Sequence, residues 1–573
     1  MRTRLRAGRG IALLLLALSL APACERRARE TTPPTRPSDR LTTAILSDPK
    51  TFNPILVTDA TSGEVLNPVF EGLVRIDPKT TLPEPALAER WRVSDEGRVW
   101  TFELRRDVKW HDGAPFTAHD VAFTIRAIFD EKVPNSARYS LTVGGEPPVV
   151  RVLDEHTIEF RMQHAFAPFL HAINVPILPA HRLEQSLDDG EFTRQWGIDS
   201  PPEALIGTGP YRMVRYESSQ VIEFERNPDY WRRDAEGGHL PYLPRLAMLI
   251  VKELNTDALK FRAGHTHYYE PRPEEVPHLE DDAAALGIRV ENIGVETSNQ
   301  FVVFNRNPHH WAKVGRSGQA DPRLRWFTDR HFLQALAHTV DKQGMVDTIY
   351  YGLGQPSVSN ISPANHVFHY PGLQDYVYDP ELAGRILDGA GYIDRDGDGI
   401  REDPDGHPIR FGLTTNAGNT LRERLCSILL QDWRALGFDI HYRPQTFQAL
   451  VERLNVTHEF DAVLIGFTAG IEPNNGANFL RSSGNLHIWN PAQEAPETPW
   501  EAEIDRLLDE GAAALDLEKR QAAYFRIQQI LHRELPFIGT VRQQMVWAWA
   551  DDLENFHPMI WGLWHPNQID IAP

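Results

Sequence analysis

Four aspartates between residues 394 and 405 have the types and spacing of a calcium-binding loop. In the segment GYIDRDGDGIREDPDG, Asp394, Asp396 and Asp398 stand at alternate positions and Asp405 occupies the twelfth place. Such carboxylates can supply several of the roughly six to eight oxygens that Ca²⁺ prefers, but an EF-hand needs a second helix and usually ends in glutamate. The spacing therefore predicts a structural calcium ion in a surface brace. A turn rich in Asp and Gly that holds no metal is the alternative.

The chain contains none of the short motifs that mark common hydrolases and nucleotide-binding enzymes. HExxH, GxSxG and a phosphate loop ending in GK[ST] are all missing from the sequence. Since no group of residues suggests a reaction, we expect a protein that is not an enzyme, has no catalytic residues and requires no cofactor.

The first 40 residues have the pattern of an export signal followed by a tether. Four arginines precede the apolar run IALLLLALSL, whose ten residues would span only about 15 Å as a helix. The run ends in LAPAC, which resembles a bacterial lipoprotein signal, so residues 1–23 are predicted to be a signal peptide and Cys24 the lipidated residue. An ordinary cleaved signal is the alternative. Residues 24–40 are polar and contain prolines, which is typical of a flexible tether.

The charge balance limits the partners of the protein. The 573 residues carry a formal net charge of −20, and the predicted signal peptide holds four arginines and no acid, so the remainder carries about −24. A surface this acidic repels phosphate backbones, and we expect no nucleic-acid partner. The location predicted by the signal is the periplasm or cell envelope, with a lipid anchoring the chain to the membrane.

Strand-like and helix-like patterns alternate after residue 40, which predicts an α/β protein with mixed sheets. The strand-like segments include 99–105, 157–162, 221–226, 246–254, 301–305, 409–415 and 460–467. The helix-like segments include 118–130, 330–350, 380–392, 420–437, 498–515 and 518–535. Cys426 lies on the apolar face of segment 420–437, where a buried thiol is expected.

Six stretches, in order, resemble the family 5 extracellular solute-binding proteins, the peptide and nickel receptors of ABC importers. They begin with FEGLVRIDPKTTLPEPALAERW and IGTGPYRMVRYE and end with FDAVLIGF and ELPFIGTV. The stretches cover residues 70–125, 206–231, 330–356, 378–406, 460–467 and 534–541.

The resemblance implies a two-lobed periplasmic-binding-protein fold of type II, in its large three-domain variety. Domain I would comprise residues 40–75, 204–297 and 536–573, domain II residues 76–203 and domain III residues 298–535. A hinge near 296–304 and 530–540 would let the lobes close over a ligand. The expected function is that of a monomeric substrate-binding protein that captures peptides, most simply oligopeptides, and delivers them to a permease driven by ATPase subunits. The alternatives are a ligand-sensing adaptor lipoprotein and a receptor for another solute, such as a metal complex.

The segment after FDA bears on the ligand. Peptide-binding members of the family usually carry an aspartate three residues after an aromatic residue, where it pairs with the α-ammonium group of the peptide. Here Phe467 holds the aromatic position, Gly470 stands in place of the aspartate, and Glu472 follows as a substitute charge or merely as a turn acid. Further candidate ligand-binding residues are Phe52, Asn53, Asn474, Asn475 and Trp489.

Overall fold

A computed structural model describes residues 33–315 and 321–572. The predicted signal peptide and the predicted lipidation of Cys24 lie outside these residues. Within them, every helix is too short or too polar to cross a membrane.

Two four-stranded sheets share one hydrophobic core and form what we call the first lobe, residues 41–295 and 541–571. Met248 and Ile222 of one sheet and Phe102 and Ile158 of the other belong to this core. The first sheet is mixed and has the strand order Leu41–Ile45, Arg245–Ile250, Val221–Arg226 and Tyr211–Glu217. The second is antiparallel, with the order Ala88–Ser94, Val99–Leu104, Thr157–Arg161 and Val149–Asp154.

A five-stranded sheet organises the second lobe, residues 298–539. Its strand order is Asp439–Tyr442, Arg410–Thr414, Ala462–Thr468, Ser298–Phe304 and Phe537–Gly539. Side chains alternate along the fourth strand, so that Val302 and Phe304 pack in one core and Phe301 and Val303 in another. This sheet is therefore covered on both faces, which explains the continuous apolar run that the sequence shows there.

The chain passes between the lobes at two adjacent places. Ile288–Val295 pairs with the long strand Val541–Ala550, which also pairs with Tyr268–Tyr269 and with Gly354–Pro356 of the second lobe. The buried Arg542 side chain joins the two passages, because it donates hydrogen bonds to the carbonyl oxygens of Thr297 and Ser298. The crossings fall inside or beside the predicted hinge segments, whereas the hinge motion stays a prediction. Phe537–Gly539, which the sequence assigned to domain I, pairs with the second lobe instead.

Five of the six predicted helical segments form single helices whose ends lie within three residues of the prediction. In the first lobe they are Ala60–Leu66, Ala118–Phe129, Ala137–Leu141, Phe169–Ala172, Ala180–Asp188, Leu254–Arg262 and Val276–Leu286. In the second lobe they are Pro308–Val314, Pro322–Thr328, Arg330–Ala337, Lys342–Ile349, Pro380–Gly389, Thr420–Ala435, Phe447–Glu452, Ala477–Leu480, Pro499–Ala513 and Leu517–Glu534. Cys426 is a buried free thiol, as expected. Short strand pairs complete the first lobe, at Val74–Ile76 with Pro83–Pro85, Leu553–Glu554 with Asp570–Ile571, and His557–Met559 with Gly562–Trp564.

The predicted helix over 330–350 is two helices. The first ends at Ala337, and the second begins after Asp341, whose side chain accepts a hydrogen bond from the Gly344 N–H at 2.8 Å. Aspartate competes for backbone donors and favours the position before a helix, so it starts a new helix here rather than continuing the old one.

Residues 33–40 do not behave as the flexible tether that their composition predicts. The side chain of Arg36 is buried and donates hydrogen bonds to the carbonyl oxygens of Thr266 and Phe261 at 3.2 and 3.5 Å. Pro34 lies against Gly264. The tether prediction is wrong for these residues, because a single arginine satisfies several carbonyl groups of the first lobe at once.

Candidate functional site

A cavity of about 330 Å³ lies where strands of the second-lobe sheet end beside the crossing between the lobes. Asn299 and Phe301 enter it from the start of Ser298–Phe304, and Phe467 from the end of Ala462–Thr468. Trp561, at the tip of a first-lobe hairpin, closes part of it and lies 3.4 Å from the Ala364 carbonyl oxygen through its indole N–H. Both lobes thus contribute to the cavity.

The wall of the cavity combines aromatic rings with amide side chains. Phe479 packs against Phe301, Phe467 and Phe537 with ring centroids 5.1–5.8 Å apart. The amides that line the cavity are Asn299, Asn360, Asn365, Asn475 and Asn478. Rings bind apolar groups, and amides can satisfy both donors and acceptors of a polar backbone. Such a mixture is typical of a pocket for a small organic ligand.

Glu472 is the one carboxylate among the described residues that line the cavity, and its charge is already compensated. Its Oε1 atom accepts hydrogen bonds from the Arg520 guanidinium at 2.5 Å and from the Asn474 N–H at 3.1 Å. Arg520 is itself buried and also donates to the Gly511 carbonyl oxygen at 3.0 Å. The phenol of Tyr524, another lining residue, stays neutral because burial raises its pKa. The cavity therefore presents a neutral wall to its ligand.

Comparison with known proteins decides the family. A profile described as "Bacterial extracellular solute-binding proteins, family 5 Middle" matches residues 83–487, well over half of the chain. The chain belongs to this family. Its members are solute-binding receptors, and the two-lobed fold described above is the periplasmic-binding-protein fold.

Individual relatives agree with this solute-binding protein over nearly their whole length. A probable ABC transporter-binding protein of Deinococcus radiodurans is 27% identical over 542 residues, which cover 89% of this chain and 88% of the relative. The structure of the oligopeptide-binding protein AppA of Bacillus subtilis with a nonapeptide has a TM-score of 0.69 at 22% identity, covering 94% of this chain and all of that one. HbpA2 of Haemophilus parasuis has a TM-score of 0.75 at 22% identity, covering 93% of this chain and all of that one. At these identities the two structures establish the fold.

Three of the predicted ligand-binding residues of this solute-binding protein line the cavity: Phe467, Glu472 and Asn475. Asn474 lies beside it without lining it, and its backbone N–H is bound to Glu472. The sequence missed Asn299, Phe301, Phe479 and Trp561. Alternation along the strand that holds Phe301 could have placed that residue on the face of Phe467, whereas no local pattern points to Trp561.

The predictions for Phe52, Asn53 and Trp489 are corrected by their burial. Phe52 packs edge-on against Tyr216 in the first-lobe core, with ring centroids 5.3 Å apart. Asn53 caps the short helix Pro54–Leu56 through a hydrogen bond from the Ile55 N–H. Asparagine before proline is a capping signal, which should have favoured this structural role.

Trp489 is likewise fully buried, in a second-lobe core. Its indole N–H points to the Glu501 carboxylate at 3.4 Å. Burial alone would raise the pKa of Glu501, but the His487 imidazole at 3.5 Å and hydrogen bonds from Thr498 and Gln493 lower it to about 2. This polar cluster ties the start of helix Pro499–Ala513 to the core and leaves no surface for a ligand.

The aspartate loop forms a compact acidic turn with a different fourth member from the one predicted. Asp394, Asp396, Asp398 and Glu402 have carboxylate oxygens within 4.8 Å of one another. Asp405 instead forms a salt bridge with Arg325. The set of four carboxylates suits Ca²⁺ chemically, although Glu402 already accepts a hydrogen bond from the Arg395 N–H at 2.7 Å. The structural calcium ion stays a prediction, with Glu402 in place of Asp405, and none of these residues lines the cavity.

Proposed function

We propose that this solute-binding protein serves an ABC importer and captures oligopeptides, holding an apolar side chain of the peptide in the cavity beside the crossing. The neutral, aromatic and amide-rich wall is the observation that carries this proposal. Transfer of an apolar side chain from water into such a pocket is favourable. The side-chain amides of the asparagines can pair with both the donors and the acceptors of a peptide backbone.

Recognition of a free α-ammonium group has little support in the cavity. Gly470 stands at the position where peptide-binding members of the family usually carry an aspartate, and Glu472 already binds Arg520. An ammonium group would have to break this buried ion pair or add a second cation beside it, and either change is costly. We infer that the ligand is held by its side chains and its backbone rather than by its amino terminus. The AppA structure, solved with a nonapeptide, supports a long ligand by analogy.

The remaining parts of the proposed function follow from the N-terminal sequence and the family. A lipid on Cys24 would keep a monomeric receptor at the periplasmic face of a membrane, where it would deliver its ligand to permease and ATPase subunits. The receptor would perform no chemistry on that ligand.

Native mass spectrometry of the protein purified from its own host tests the ligand class. We expect retained peptides of several residues that contain Leu or Phe, with blocked and free amino termini bound alike. A bound metal complex or haem, or conversion of an added peptide into products, would overturn the proposal.

Two matched phenylalanine variants locate the site. Phe467→Ala, which removes a ring from the cavity wall, should weaken binding of the recovered peptides about 10- to 100-fold, since burying an aromatic ring contributes roughly 1.5–3 kcal/mol. Phe447→Ala removes an exposed ring of the same lobe and should leave affinity unchanged. Equal affinity of both variants would show that the ligand binds elsewhere.

A further inference from the structure

The second carboxylate oxygen of Glu472 lacks a hydrogen-bond partner. The side chain has no exposed surface, and while Oε1 binds Arg520 and the Asn474 N–H, Oε2 is buried without a donor. A buried acceptor left unsatisfied costs about 1–3 kcal/mol relative to the same group in water.

The imidazole of His171 faces this oxygen across the cleft. Its Nδ1 atom lies 3.8 Å from Glu472 Oε2, and its Nε2 atom is also buried without a hydrogen-bond partner. His171 belongs to the short helix Phe169–Ala172 of the first lobe, whereas Glu472 belongs to the second. The pair therefore spans the two lobes.

Neighbouring contacts show that the lobes touch directly at this place. The Ala167 N–H donates a hydrogen bond to the Ala512 carbonyl oxygen at 2.7 Å. Leu515 of the second lobe lies so close to Gly97 of the first that an added Cβ would meet it at 3.1 Å. The lobes therefore already touch on this side of the cleft, and the His171–Glu472 pair lies beside this contact with its two atoms still beyond hydrogen-bond distance.

We propose that His171 is a positioning residue that couples the cavity to lobe closure: a small further closure brings its imidazole N–H from 3.8 Å to hydrogen-bond distance of the free oxygen of Glu472. The proposal rests on the proposed function, in which closure traps the ligand. Glu472 belongs to the wall of the cavity and has its other oxygen fixed by Arg520, so closure completes the surroundings of a buried side chain in that wall. An open lobe leaves the same oxygen to water.

The charged groups around His171 set the protonation state that the contact needs. Burial lowers the pKa of His171, the Glu472 carboxylate raises it, and the Arg520 guanidinium beside Glu472 lowers it again. Together these effects lower the pKa of His171. Its imidazole is therefore neutral at neutral pH when the lobes are in contact, and it offers a single N–H. The histidine of an open form has the ordinary pKa near 6.5. Closure is therefore fully favoured above about pH 6.5 and weakens as the pH falls through the lower pKa of the closed form.

Three variants distinguish the hydrogen-bond donor of His171 from the packing of its ring. His171→Phe keeps the ring but removes the donor, and His171→Gln keeps a neutral donor. His119→Phe changes an exposed histidine of the same lobe that pairs with Glu184 on the surface.

The probe is a tryptic digest of casein, with retained peptides identified and their dissociation rates measured by native mass spectrometry. His171→Phe should weaken retention about 5- to 15-fold, the equivalent of one net hydrogen bond, mainly through faster dissociation. His171→Gln should stay within about threefold of the unmodified protein, and His119→Phe should match it.

A second measurement needs no ligand. Spin labels at Glu131→Cys and Glu518→Cys, both exposed and in different lobes, report the distance between the lobes, while the buried Cys426 escapes labelling. We expect His171→Phe to shift the distance distribution toward longer values and His171→Gln to preserve it. Identical retention and identical distances for His171→Phe and the unmodified protein would overturn the proposal, as would a Gln variant as impaired as the Phe variant. If the unmodified protein retains no peptide, the proposed function fails, and the distance measurement still decides the role of His171.

Discussion

Two acidic sites of the second lobe, the aspartate loop and Glu472, show how differently a carboxylate can be used. The loop acids are exposed and bind the backbone of their own turn: Asp394 accepts hydrogen bonds from the N–H groups of Gly397 and Gly399 at 2.7 and 3.1 Å. Glu472 is buried, binds Arg520 across 48 residues of sequence and faces His171 of the other lobe. The first site holds a turn in place, and the second connects the cavity, the second-lobe core and the opposing lobe.

Burial explains why a single glutamate matters more than a group of aspartates. An exposed carboxylate exchanges its protein partners for water at little cost, whereas a buried one depends on each partner it has. Variants at buried and exposed acids test this difference, and the largest effect is expected where a buried charge loses its partner.

Removal of the partner of Glu472 should have the largest effect. Arg520→Met leaves a buried carboxylate uncompensated, and we expect the free energy of unfolding of the second lobe to fall by about 3–5 kcal/mol. Urea unfolding followed by tryptophan fluorescence measures this change. The double variant Arg520→Met, Glu472→Gln removes both charges and should recover much of the loss. A loss below about 1 kcal/mol in the single variant would mean that the pair is solvated and that the comparison fails.

Glu296, at the crossing between the lobes, should have an intermediate effect, because it is half-buried and has no salt-bridge partner among the described residues. Burial raises its pKa from 4.5 to about 7, with Glu270 adding to the shift. Between these two pH values the folded state keeps a proton on Glu296 that the unfolded state releases. The contribution of this proton to the free energy of unfolding is therefore complete below about pH 4.5 and is lost as the pH rises through about 7.

Glu296→Gln should remove this pH dependence and raise the stability at pH 8 by about 1 kcal/mol, a value reduced to allow for partial solvation. Melting temperatures between pH 5 and 8 measure the effect. Glu291→Gln, an exposed acid on the strand before it, serves as the control and should follow the unmodified protein. A Glu296 variant whose melting temperature falls with pH as steeply as that of the unmodified protein would contradict the assignment.

The aspartate loop should respond least. In EGTA, Asp398→Asn keeps an acceptor for the Ile400 N–H and should change the free energy of unfolding by less than about 0.5 kcal/mol. The predicted calcium ion is tested with the same pair of proteins. Calcium at about 100 times its dissociation constant should stabilise the unmodified protein by about 2.7 kcal/mol, and the variant much less. If calcium leaves the melting temperature of the unmodified protein unchanged, the prediction of a structural ion is wrong.

Local features of the fold were predictable because they depend on neighbours in the sequence. A capping box of Thr117 and Asp120 starts helix Ala118–Phe129, and the strands near 221–226 and 462–468 follow their apolar patterns. The glycine of the GTGPY turn, in contrast, depends on a residue that is distant in sequence. Gly207 does not need an unusual backbone angle; a Cβ there would lie 1.8 Å from the Val69 carbonyl oxygen, a contact made 138 residues away in sequence.

The candidate site was only half predictable for the same reason. Phe467 and Asn475 lie in the segment after FDA, which the resemblance to the family assigns to the cleft, and they line the cavity. Phe52 and Trp489 have equally suitable side chains, but their neighbours in space enclose them. An aromatic residue in a turn can serve a core or a pocket, and its type does not distinguish the two.

The order of the helices and strands and the acidic turn follow from the amino-acid sequence alone, because periodicity, capping and turn chemistry act over a few residues. The family followed from the resemblance of six sequence stretches. Only the tertiary structure decided which aromatic side chains face the cavity, that Arg520 neutralises Glu472, and that His171 meets it from the other lobe. These contacts join residues that are 48 and 301 positions apart. Their distances depend on how the two lobes pack, which no short stretch of sequence encodes.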